Sequence, residues 1–238
     1  MTASQDVVFL LDVDNTLLDN DRIVADLRQH LEREFGACSA SHYWTIFEHL
    51  RSELGYADYL GALQRYRCDV EYGRSSDPRL LQMSSFLVDY PFAQRLYPRT
   101  LDVIARLNGF GQTVILSDGD VVFQPRKIQR SGLWDAVAGR VLVYIHKEQM
   151  LDPVQCQYPA RHYVMVDDKL RVLAAMKQLM RESLTTVFPR QGHYAMDMTI
   201  VASYPAADVS VECIGDLVDF GLHTLLGLDN ADHTTEEK

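Results

Sequence analysis

Long hydrophobic runs are missing from this chain. Its longest, such as "VVFLLDV" at residues 7 to 13, are strand length, far short of the roughly 20 apolar residues that cross a bilayer, so no membrane span is expected. Cysteine is scarce as well. Cys38, Cys68, Cys156 and Cys213 stand far apart with no C-x-x-C pair, which gives no support to a structural zinc site. No secretory leader precedes the first apolar stretch, so reduced thiols and a cytoplasmic setting are expected. The third shortage is positive charge: 23 Lys and Arg against 33 Asp and Glu leave a formal charge of -10. Without clustered basic residues a nucleic acid is excluded as the main partner, and any anionic substrate needs a local positive site. Internal repeats and low-complexity segments are absent too. What remains is ordinary globular composition, 238 residues of which 47% are hydrophobic, enough to bury a full core and to divide into a larger and a smaller domain.

Short Val- and Ile-rich runs recur along the chain: residues 7 to 13, 113 to 118, 141 to 145, 163 to 168, 185 to 188 and 209 to 214. Near-continuous apolar strands of this kind fit a parallel sheet covered on both faces. Helical patterns separate most of them. "PRTLDVIARLNGFG" places Leu101, Ile104, Ala105 and Leu107 on one face with Gly109 as a stop, and "KLRVLAAMKQLM" does the same with Leu170, Leu173, Ala174 and Met176. Strand and helix in alternation predict a doubly wound, Rossmann-like α/β fold, whose ligands bind at the carboxyl ends of the strands.

Residues 20–97 interrupt the alternation and hold only helical patterns. Ile23, Leu27 and Leu31 lie in register before Gly36; Tyr43, Phe47, Leu50 and Leu54 follow a Ser start and end at Gly55; a third segment is capped by Ser76 or Asp77 with Pro78 in its first turn. This predicts an all-helical inserted domain whose aromatics, Tyr43, Trp44, Phe47, Tyr59 and Tyr66, form its own core. Residues 1–19 and 98–230 then make a discontinuous α/β core, and 231–238 read as a frayed acidic tail.

The residues at the strand ends carry the chemistry. The first strand ends in Asp12 and Asp14, the second in Ser117, Asp118 and Gly119; Lys147 follows the third, and Asp167 and Asp168 end the fourth. Carboxylates converging on one sheet edge cannot all ionise without a cation, and an all-oxygen donor set suits Mg²⁺. A carboxylate can attack phosphorus to form an aspartyl-phosphate, and a second one two residues on lies on the same side of an extended segment, where it can act as general acid. Mg²⁺ and a lysine would offset charge on the transferring group, while Ser117 to Gly119 could cradle its remaining oxygens.

"DVDNT", "ILSDG", "HKE" around Lys147 and "VMVDD" resemble motifs one to four of the haloacid dehalogenase superfamily of hydrolases, across residues 7 to about 190. The resemblance implies that Asp12 is nucleophile and metal ligand, and that Asp14 is the general acid/base whose backbone carbonyl also serves Mg²⁺. It makes Ser117 a phosphate contact, Lys147 the positioning lysine, and Asp167 and Asp168 the metal-binding pair. It further implies a helical cap after motif one, at 20–97. Within that family an acid two residues beyond the nucleophile marks phosphatases, so a small phosphorylated metabolite is the expected substrate. A phosphomutase and a catalytically inactive phosphate-binding protein stay open, as do monomer and homodimer. Asp118 stands where a neutral Asn is common. His146, His162, Arg190, His193, the insertion's Arg51, Arg65 and Arg67, and Arg126 and Lys127 after motif two are not assigned to the site.

Overall fold

The computed structural model describes residues 6–69 and 78–226; the Ser76 or Asp77 cap and the acidic tail lie outside them. Six strands, β1 (Val7–Leu11), β2 (Gln112–Asp118), β3 (Val141–Tyr144), β4 (His162–Val166), β5 (Leu184–Pro189) and β6 (Val209–Val211), form one sheet. Their order is β3-β2-β1-β4-β5-β6, and every neighbouring pair is parallel. All six predicted runs became strands. β1 sits in the middle, which is why its five residues are apolar without alternation and buried throughout.

The pleat sends Phe9 and Leu11 to one face and Val8 and Leu10 to the other. Phe9 and Leu11 share a core with α5 (Thr100–Asn108), α6 (Phe123–Arg130) and α7 (Leu133–Ala136). Val8 and Leu10 pack with α8 (Leu151–Gln157) and α9 (Leu170–Met180). Burying side chains of this size contributes about 1.5–3 kcal/mol each. One predicted helix face was misaligned: α5 buries Thr100, Val103, Ile104 and Leu107, whereas Leu101 is 45% exposed and Ala105 also faces out. The buried set has the i, i+3, i+4, i+7 spacing of an amphipathic stripe, and Leu101 lies about 100° off it. Ala174 of α9 is likewise only half-buried, its place on the inner face taken by Val172.

Among the described residues, four α-helices occupy the segment between β1 and α5: α1 (Asn20–Phe35), α2 (Ala37–Leu54), α3 (Tyr59–Cys68) and α4 (Arg79–Asp89). Asp19 accepts from the Arg22 N–H at the start of α1, which buries Ile23, Leu27 and Leu31. Gly36, at φ 84, ends α1 and leads straight into α2, which starts at Ala37 and not at a serine. Gly55 closes α2 in the left-handed region, as expected. The aromatics Tyr43, Trp44, Phe47, Tyr59 and Tyr66 are buried, with Phe47 and Tyr59 stacked at 4.7 Å. The four cysteines are free, and among the described residues no helix is long and apolar enough to cross a membrane.

One antiparallel bridge, Leu18 with Leu96, ties the two ends of this insertion together. Asp19 N–H donates to the Arg95 carbonyl at 2.7 Å and Tyr97 N–H to the Leu17 carbonyl at 3.0 Å. Beside them, Asp26 of α1 accepts from Arg95 Nη2 at 2.7 Å and from the Tyr90 hydroxyl. Burial works to raise the Asp26 carboxyl, but the hydrogen bonds from Tyr90 and Arg95 outweigh it and hold the group below its ordinary range. A carboxyl lowered on folding stabilises above its unfolded pKa, about 3.9, and that contribution is lost as pH falls through the folded value. Asp26→Asn is therefore expected to cost about 2 kcal/mol at pH 7. Urea titrations at neutral pH and below pH 3 should show the gap to the parent closing in acid; an equal gap at both would contradict the assignment.

Candidate active site

Parallel register brings the strand ends together. Leu11 pairs with Val166, so Asp12 leaves the sheet beside Asp167; Asp12 N–H donates to the Val166 carbonyl at 3.0 Å and Asp167 N–H to the Val187 carbonyl at 3.1 Å. Asp12, Asp167 and Asp168 are all buried, and each offers an oxygen within 4.8 Å of those of the other two. Lys147, fully buried, reaches this cluster from the loop after β3. Its Nζ donates to Asp12 Oδ1, lies 2.7 Å from Asp167 Oδ2 and donates to the Leu116 carbonyl at 3.2 Å. The other Asp12 oxygen accepts the Thr16 hydroxyl at 3.1 Å, and the same hydroxyl accepts the Asp168 N–H at 3.0 Å. Both Asp12 oxygens are thus oriented before any substrate arrives.

Three close carboxylates face two ammoniums, Lys147 in contact and Lys169 beside them, which still leaves the cluster short of positive charge. Burial would lower the Lys147 ammonium, yet Asp12, Asp167 and Asp118 hold it well above the usual lysine range. Burial pushes the Asp167 carboxyl up to about 6 in spite of Lys147. Burial, and after it the Asp167 charge, lifts Asp168 well above the carboxylate range. Both Asp168 oxygens are buried and accept no hydrogen bond among the described residues. Unpartnered carboxylate oxygens are costly, and a divalent ion with oxygen preference is the ligand that this donor set fits.

The remaining predicted residues divide. Ser117 is buried, and its Oγ accepts from Gln124 Nε2 at 2.9 Å. Asp14 carries its carboxylate away from the three-acid cluster to α6, where Oδ1 accepts from Lys127 Nζ at 2.6 Å and Oδ2 from Gln124 Nε2 at 3.2 Å. The Asp118 Oδ1 accepts the Lys147 N–H at 2.7 Å and so fixes the loop that turns the lysine inward. Gly119 departs from expectation. Its N–H donates to the Tyr144 carbonyl at 3.0 Å, continuing the β2–β3 pairing, and is not free to cradle an anion.

Above the cluster lies a cavity of about 630 Å³, walled on one side by Arg28, Trp44, Phe47 and Arg51 of α1 and α2 and on the other by Asp14, Asp118, Asp168 and Lys169. Helix α10 (Gly192–Met196) closes one end. His193 there donates its N–H to Asp21 Oδ2 at 2.8 Å and pairs through Nδ1 with Asp21 Oδ1 at 2.7 Å. Arg51 Nη2 donates to the Tyr194 hydroxyl at 2.9 Å. His146 also lines the cavity, while His162 sits at the far end of β4 on the Thr185 hydroxyl. Arg65 and Arg190 are tied to Glu53 and Glu212. Sequence reasoning missed Thr16, Gln124 and Lys127. The available signal was α6 itself, whose buried stripe of Phe123, Gln124, Lys127 and Ile128 mixes long polar residues into apolar spacing.

A parallel sheet that gathers Asp12, Lys147, Asp167 and Asp168 on its carboxyl edge, beneath a helical insertion, has the architecture of a haloacid dehalogenase-like hydrolase. The chain belongs to the haloacid dehalogenase-like hydrolases, whose family signature matches residues 7–179. It is 68% identical to a haloacid dehalogenase-like hydrolase of Burkholderia xenovorans LB400, over 91% of this chain and 99% of that one, with a TM-score of 0.84. The magnesium-bound hydrolase YfnB of Bacillus subtilis shares the fold at 19% identity, over 93% and 98% of the two chains, with a TM-score of 0.62. The L-2-haloacid dehalogenase of Xanthobacter autotrophicus, with chloropropionic acid covalently bound, does so at 18% identity, over 89% and 96%, with a TM-score of 0.54. No curated protein matches the chain.

Proposed function

We propose that this hydrolase is a magnesium-dependent phosphomonoesterase acting on a small phosphorylated metabolite. Asp168 carries the reading: two buried oxygens that no donor among the described residues reaches, beside two more carboxylates, suit a site built around a cation. Displacing halide from carbon makes no such demand, because halide leaves as a stable anion needing neither a proton nor a metal. In that displacement Asp14 would have no leaving oxygen to protonate, and the three-acid cluster no charge on a transferring group to offset.

Asp12, Asp167 and Asp168, with the Asp14 backbone carbonyl that the resemblance implies, would hold Mg²⁺, which supplies positive charge to offset that of the transferring group. The Asp12 carboxylate, oriented by Lys147 and Thr16, attacks phosphorus as the bond to the leaving oxygen breaks, and Asp14 gives that oxygen a proton. Water then cleaves the aspartyl-phosphate with Asp14 accepting its proton. Lys147 and Ser117 steady the phosphoryl oxygens. The helical insertion acts as a cap that keeps bulk water out, and a cavity of about 630 Å³ suits a metabolite-sized leaving group.

Phosphate release from a metabolite panel, with Mg²⁺ and with chelator, tests this. Turnover is expected only with metal. Asp168→Asn should raise the Mg²⁺ requirement by more than the about 10–100-fold typical of losing an outer-shell partner. Turnover indifferent to chelator overturns the reading. Isomer formation without net phosphate would instead mark a phosphomutase, and binding without hydrolysis a ligand-binding protein.

A further inference from the structure

The buried polar pair on α6 has no evident packing purpose. Lys127 is 1% exposed and Gln124 3%, on a helix stripe where apolar residues would fill the space. Burying an ammonium costs several kcal/mol unless a partner compensates. The compensation comes from Asp14, at 2.6 Å, and from Asn20 Oδ1 at 3.2 Å. Three residues away on the same helix face, Gln124 spans the other Asp14 oxygen and Ser117 Oγ. Gly119 explains how the helix comes so close: a Cβ at that position would stand 2.7 Å from Gln124 Cβ. The start of α6 is fixed in turn by Asp120, whose Oδ1 accepts the N–H groups of Val122 and Phe123 at 2.8 and 2.7 Å.

Resting on the phosphomonoesterase reading, we propose that Lys127 and Gln124 are positioning residues that aim the Asp14 carboxyl at the leaving oxygen and register it against the Ser117 phosphate contact. Each Asp14 oxygen is held from a different α6 side chain, so the carboxyl has one orientation. Asp14 enters the step as the neutral acid; when the Asp12 oxygen bonds to phosphorus and the bond to the leaving oxygen breaks, its proton passes to that oxygen. The carboxylate left behind lies against the Lys127 ammonium, which stabilises it. Gly119 serves this arrangement through the side chain it lacks.

A leaving group that needs no proton separates positioning from mere structural support. The values of kcat/KM report steps through leaving-group departure and exclude later hydrolysis of the aspartyl-phosphate. Lys127→Met is expected to lower kcat/KM for an alkyl phosphate by about 10²-fold and for 4-nitrophenyl phosphate by no more than about threefold, within the span of general acid catalysis. Gln124→Leu, which removes no charge, should show the same asymmetry more weakly and covers the case in which Lys127→Met fails to fold. Equal losses with both substrates, or none with either, overturn the proposal. A parent that releases no phosphate from either overturns the phosphomonoesterase reading and this inference with it, a result distinct from a flat leaving-group dependence in an active parent.

Discussion

Asp12→Asn is expected to lower phosphate release by about 10⁶-fold, the scale seen when a covalent nucleophile is removed from a preorganised site. An amide of the same shape still fits between Lys147 and Thr16, so the variant should fold, but its nitrogen cannot form the acyl-phosphate. The parent, quenched in acid during turnover and digested, should yield a phosphorylated peptide containing Asp12, and the variant none. Label on another residue, or unimpaired turnover by the variant, would refute the nucleophile assignment.

The second large effect concerns stability. Lys147→Met leaves Asp12 and Asp167 buried without the ammonium that lies between them. Breaking a buried ion pair from one side costs about 3–5 kcal/mol, which for a chain of this size lowers the thermal midpoint by about 10 °C. Because the deficit is one of positive charge, millimolar Mg²⁺ should recover more stability in the variant than in the parent, and chelator should abolish the recovery. Thermal denaturation under both conditions measures this. A variant as stable as the parent in chelator would mean that the three carboxylates do not burden the fold.

Much of this was legible in one dimension. Val- and Ile-rich runs mark central parallel strands because such strands are covered on both faces, and all six lie where the runs do. Asp12, Lys147, Asp167 and Asp168 were identifiable because each stands at or just beyond the carboxyl end of such a run, and parallel strands put those ends on one edge. The face of α5 was not, since Leu101 with Ala105 and Val103 with Leu107 lie on opposite sides of Ile104 and only packing chooses between them. Asp118 and Gly119 belong to a readable turn, but what their polar groups bond depends on β3 and its loop. Lys127 follows motif two on a short helix, and nothing in one dimension shows that this helix turns it inward.

By itself, then, the sequence determined the doubly wound sheet, the helical insertion after the first strand and the acids at the strand ends. These are properties of periodicity and residue type within a window of about ten residues. Only tertiary structure decided that Lys147, 135 positions from Asp12, lies between it and Asp167, that no donor among the described residues reaches the Asp168 carboxylate, and that α6 holds both oxygens of Asp14. Such contacts depend on register and on how closely a helix can approach the sheet, quantities that arise only when distant segments exclude water from the same place.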